Sequence, residues 1–126
     1  MSHISRVKTE LRELEFIMQA LRDLEIDFVT EDFEHIPEIE EPIEILIRLP
    51  KSRHPIALVK GKDGSYSFEG EQSVIKMAKE LELTEKISQR YAYHFVKDRL
   101  IQQGFHLESE AKGDKDEIHL TLRRNA

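Results

Sequence analysis

The amino-acid sequence predicts a two-layer α+β domain, with helices packed on one face of an antiparallel sheet. Three observations carry this. Apolar residues recur at steps of three and four from Ile4 to Leu24. Short apolar or alternating runs follow, separated by tight turns, and a helical block precedes a last alternating pair. Tight turns make neighbouring strands antiparallel, and helices segregated from such strands give the α+β arrangement. A chain of 126 residues, 39% hydrophobic and 35% charged, suits one domain over 1–126.

The elements follow in order. Ile4, Val7, Leu11, Leu14, Ile17 or Met18, Leu21 and Leu24 form a stripe, while Glu10, Arg12, Glu13, Glu15 and Arg22 lie off it. That spacing predicts a long N-terminal helix from Ser2 to Glu25, capped by Ser2 or Ser5. Its Leu11, Leu14 and Leu21 are expected on the sheet face that receives Ile118, Leu120 and Leu122. Ile26–Thr30 reads as a short strand. Pro37 and Pro42 make the acidic stretch Glu31–Glu44 a loop or edge strand, since proline removes a ladder donor.

Ile43–Leu49 reads as a buried strand ended by Pro50, and Lys51–Pro55 as a basic turn. Pro55–Lys60 and Ser65–Glu69 flank Gly61-Lys62-Asp63-Gly64, a hairpin signal. After Gly70, Val74, Ile75, Met77, Ala78 and Leu81 form the apolar face of a second helix ending near Leu83. Thr84 is placed to cap a third, with Glu85 in its first turn. That helix runs to Gln103, and Gly104 supplies a left-handed end. Phe105–Ala111 and Glu117–Arg124, joined through Lys112–Asp116, make a C-terminal β-hairpin with one wet face.

Charge is unevenly spread. Residues 1–44 balance to −9 and residues 45–126 to +3, within a net charge of −6. Glu31–Glu44 carries seven carboxylates and no Lys or Arg, whereas Ile45–Lys62 carries five bases and no acid. The acidic loop is expected to fold over the basic segment, or both to be solvated. The overall field repels phosphates, which argues against a nucleic-acid partner. No apolar run is long enough for a transmembrane helix and no secretory leader is visible, so the reading is soluble and cytoplasmic, with no membrane partner.

Several chemistries are excluded. The chain has no cysteine, hence no disulfide, thiol nucleophile or thiolate metal site. Its histidines, His3, His35, His54, His94, His106 and His119, show no paired metal-ligand spacing. A turn near Asp114 sets His119 opposite Ser109, not His106. No Gly-x-Ser-x-Gly elbow or phosphate loop occurs. The sequence points to no cofactor.

The segment Ser88-Gln89-Arg90-Tyr91-Ala92-Tyr93-His94 stands out. Ile87, Tyr91 and Phe95 form an i, i+4, i+8 stripe for the core. Gln89, Arg90, Tyr93, His94 and Lys97 then make a polar face, the candidate binding surface, with a phenol, a guanidinium and an imidazole close together. The competing structural reading has these groups tie the helix to the sheet, with tyrosine hydroxyls satisfied by backbone carbonyls. His94 has no partnered carboxylate in its own motif for acid–base work.

Met1-Ser2-His3-Ile4-Ser5-Arg6-Val7-Lys8-Thr9, Gln89-Arg90-Tyr91-Ala92-Tyr93-His94, Gln103-Gly104-Phe105 and Leu122-Arg123-Arg124 together resemble one family. It is that of hypothetical chloroplast reading frame thirty-five, found in algal plastids, cyanobacteria and some other bacteria. The middle of the chain resembles it only through Gly64-Ser65-Tyr66. Family members commonly carry a tryptophan mid-chain and another at the C-terminus; this chain has none. The resemblance implies no reaction, but it implies a cytoplasm- or stroma-type protein and draws weight to Gln89–His94.

The function expected is that of an accessory domain, not an enzyme, acting through an unknown protein partner, with self-association open. The alternative is a small anionic ligand held by the Gln89–His94 helix and the basic Lys51–His54 turn.

Overall fold

The computed structural model describes residues 3–112 and 118–124. The elements are β1 (Ile4–Lys8), α1 (Leu14–Asp23), β2 (Asp27–Val29), β3 (Ile43–Arg48), β4 (Ile56–Lys60) and β5 (Tyr66–Glu71). They continue with α2 (Gln72–Glu80), α3 (Leu83–Gln102), β6 (Phe105–Lys112) and β7 (Ile118–Arg124). The fold is α+β, with a five-stranded antiparallel sheet in the order β1-β5-β4-β3-β2 and three helices.

The N-terminal helix is shorter than its spacing predicts. Ile4–Lys8 is a strand paired with β5 from Ile4 opposite Glu71 to Lys8 opposite Ser67, and helix starts only at Leu14. Ile4 and Val7 therefore lie on opposite faces: Val7 packs into the helix-side core and Ile4 into the apolar cluster on the other face. Without β1, β5 would be a sheet edge with unpaired backbone groups, and pairing outweighs local helical spacing. Ser5 is thus within a strand and caps nothing; Ser2 lies outside the described residues.

The helix-side core joins Ile17, Ala20 and Leu21 of α1, Ile45 and Ile47 of β3, and Ile56 and Leu58 of β4. Tyr66 and Phe68 of β5, Val74 and Ile75 of α2 and Ile87 of α3 complete it. The other face is also covered. Ile39, 1% exposed, packs there with Leu46, Ala57 and Val59, and Phe33, Ile36 and Ile43 flank them. A bulge between Ile43 and Ile45 permits this, since it turns Ile43 to the second face while Ile45 and Ile47 stay on the first. The five-stranded sheet is consequently covered on both sides, one helical and one irregular, instead of being two-layered.

The acidic cover does not pair with the basic Ile45–Lys62 segment among the described contacts. Its ion pair goes to β1: Arg6 Nη2 donates to Glu41 Oε1 at 2.8 Å and to Glu69 Oε1 at 3.2 Å. Glu69 is 3% exposed.

Helix ends differ too. Glu71 caps α2 by accepting from the Ser73 amide at 2.9 Å. The residue before α3 is Glu82, in left-handed backbone at φ 53°, and Thr84 sits inside the helix. Leu81, expected on the apolar face of α2, is 48% exposed, because the chain leaves the helix at that point. Gly64 (φ 88°) and Gly104 (φ 95°) hold the hairpin turn and the end of α3 in conformations that side-chain-bearing residues rarely adopt.

β6 and β7 pair with each other alone, from Phe105 opposite Arg124 to Lys112 opposite Ile118. The terminal strands thus form a separate sheet, so the face receiving Leu11 and Leu21 belongs to β3, β4 and β5. His119 stands opposite Ala111 and His106 opposite Arg123. The turn read at Gly113–Asp116 and the strand start read at Glu117 lie outside the described residues.

Candidate functional site

α3 runs beside α1, and its inner stripe meets Phe16. Tyr91 and Phe95 lie with ring centroids 5.9 and 6.0 Å from Phe16 in edge-on contact, and 6.1 Å from each other. Such pairs favour edge geometry because the ring rim is positive and the face negative. The Tyr91 hydroxyl accepts from the backbone amides of Arg12 (3.3 Å) and Glu13 (3.1 Å). Amides at the entry to α1, and not carbonyls, are what this tyrosine satisfies: that of the N-cap residue Glu13 and that of Arg12 just before it.

The polar face is centred on a residue that the motif does not contain. Asp23, the last residue of α1, receives Arg90 Nε at 2.8 Å and Arg90 Nη2 at 2.7 Å. The same carboxylate oxygen, Oδ2, lies 2.5 Å from His94 Nε2. Partial burial pushes the Asp23 carboxyl up. Hydrogen bonds from His94 and Arg90 and their charge outweigh it, holding the group below the ordinary aspartate value. These contacts tie α3 to α1, not to the sheet. Farther along, Arg99 Nη2 donates to Glu13 Oε1 at 2.9 Å and its guanidinium lies 4.7 Å over Phe95.

Tyr93 is half-buried between cations. Arg90 lies 4.4 Å and Lys97 5.3 Å from its ring centre, and Lys97 Nζ donates to its hydroxyl at 3.2 Å. The His94 ring meets it edge-on at 4.7 Å. The structure thus brings Arg90, Tyr93, His94 and Lys97 together. Gln89 is half-buried, and none of the described polar contacts of this cluster reaches it. No described hydrogen bond, ion pair or cavity joins the cluster to the Lys51–His54 turn. That turn is closed on itself by Ser52, whose hydroxyl accepts from the His54 amide and donates to the His54 carbonyl, both at 3.1 Å.

The other flank of α3 is open. A groove of about 430 Å³ is lined by Glu10, Arg12, Glu13, Ala92, Phe95 and Val96, with Tyr91 and Arg99. Val96 is 47% exposed there. Glu13 Oε2 is shut off from solvent and has no hydrogen-bond partner. Sequence reasoning missed Asp23, Glu13 and this groove; Asp23 and Glu13 lie 67 or more positions from the α3 residues they meet, and no local spacing links them. Among the described residues no group of three or more His, Asp or Glu is placed to hold a metal ion, and no helix is long and apolar enough to cross a membrane.

Among known proteins the chain is similar to the Uncharacterized protein ycf35 of Guillardia theta. The chain is 27% identical to it over 126 residues, 98% of each chain. The likeness therefore runs through the middle as well as the two ends. No solved structure matches. A family model described as "Protein of unknown function (DUF1257)" matches residues 20–121, most of the chain. On that match, the chain belongs to the DUF1257 family.

Proposed function

We propose that the chain is an accessory domain that works by binding another protein, and that the partner lies in the groove on the outer flank of α3. The observation that carries this is Val96, left 47% exposed on an apolar floor with Ala92 and Phe95. Binding sites combine such a floor with a few fixed polar groups. Glu13 and Arg99, paired with each other at 2.9 Å in the groove lining, are two such groups. The partner best suited presents an apolar side chain next to a polar group.

At about 3.6 residues per turn, Gln89 and Tyr93 border Val96 around the helix and Lys97 follows. Those three extend the surface, while Arg90 and His94 hold it in place through Asp23. A small anionic ligand at Arg90 and His94 has less support, since Asp23 already neutralises that pair.

The test compares wild-type and Val96→Asp chains as baits in the native host, with quantitative mass spectrometry and a melting curve for each. Val96→Asp is expected to stay within about ±0.5 kcal/mol of wild-type stability and to lose the proteins wild type captures. A stable Val96→Asp chain that captures the same proteins overturns the reading.

A further inference from the structure

A second exposed region lies where the chain leaves α1 and α2. Leu24, Ile26, Leu49 and Leu83 form the floor of a cleft of about 330 Å³, and Pro50 and the 48%-exposed Leu81 stand at its mouth. Glu25, Asp27, Arg48 and Lys86 complete its lining. None of these four has an ion pair or side-chain hydrogen bond among the described residues, although Asp27 and Arg48 are cross-strand neighbours. Beside them β2 ends the sheet, so its outer edge has no strand partner among the described residues.

We infer that this face is where two copies of the chain meet about a twofold axis. A twofold contact sets one patch against its own copy, so its surface must be self-complementary. Two acids and two bases around an apolar floor meet that condition: each copy's Arg48 and Lys86 face the other's Glu25 and Asp27. The chain as a whole carries −6, so two copies repel each other on net. This patch is locally neutral and lets them approach. Leu81 and Pro50 supply the apolar contact, and the open edge of β2 adds backbone groups that another chain can pair. The groove on α3 takes no part, so the inference stands apart from the reading above.

The test is sedimentation equilibrium of the full chain from low micromolar to sub-millimolar concentration. Wild type is expected to show a monomer–dimer equilibrium. Leu81→Asp, at an exposed position, is expected to keep its circular-dichroism melting curve and weaken the dimer by about tenfold or more. Arg48→Glu with Lys86→Glu, and Glu25→Lys with Asp27→Lys, are each expected to be monomeric alone because like charges then meet. Mixed in equal amounts, the two double variants are expected to form a heterodimer. A wild type that stays monomeric throughout overturns the inference. So does a dimer unaffected by Leu81→Asp, or a mixture of the reversed variants that fails to associate.

Discussion

The seam between α1 and α3 and the acidic cover on the opposite sheet face are built differently. The seam packs three aromatic rings together and adds several polar ties: Tyr91 to two amides, Arg90 and His94 to Asp23, Arg99 to Glu13. The cover is irregular backbone held by Ile39, Phe33 and Ile36 and by one guanidinium, Arg6, shared between Glu41 and the buried Glu69. A helix satisfies its own backbone groups and leaves its side chains to pack; an irregular segment has fewer internal bonds and leans on a few anchors. The seam is therefore redundant, and the cover depends on single residues.

Tyr91→Ala is expected to have the largest effect. It removes a packed ring and the acceptor of two amides, costing on the order of 3–5 kcal/mol in urea unfolding. Ile39→Ala sharpens the contrast. It also creates a cavity, but its signature is faster proteolysis within the acidic cover under native conditions, which Tyr91→Ala shares only as the whole domain unfolds.

Arg90→Ala with His94→Ala comes next, at about 1–3 kcal/mol, because Asp23 loses both partners. Its pH dependence has a definite sign. The folded Asp23 carboxyl is held below its unfolded value, so it contributes stability above the ordinary aspartate range. That contribution fades as pH falls through the unfolded value and then the folded one. Wild type and Asp23→Asn should converge in stability at acid pH and diverge at neutral pH. A gap unchanged between the two would break the assignment of Asp23 as the centre of the seam.

The smallest effect is a gain. Glu82 is held at φ 53°, where a Cβ is unfavourable, so Glu82→Gly is expected to raise stability by up to about 1 kcal/mol. A loss of stability there would mean that the Glu82 side chain supports the α2–α3 junction.

Much of this was legible from local pattern. The strands around Ile43–Arg48, Ile56–Lys60 and Tyr66–Glu71 follow from apolar runs punctuated by Pro50 and the Gly61–Gly64 turn. The inward stripe of Ile87, Tyr91 and Phe95 follows from helical spacing. The first ten residues did not yield to the same logic. Ile4 and Val7 fit one helix face as well as two strand faces, and only β5 decides between them.

The candidate site divides the same way. That Gln89, Arg90, Tyr93, His94 and Lys97 share one side of a helix follows from their spacing, because the helical repeat fixes neighbours along the chain. Which contacts they make depends on packing. Asp23 converts two of them into a clamp between helices, and Glu13 and Arg12 turn the bare Ala92–Val96 flank into a groove. Contacts between residues many positions apart depend on how the elements pack, and packing is settled by burial over the whole domain, which no short motif records.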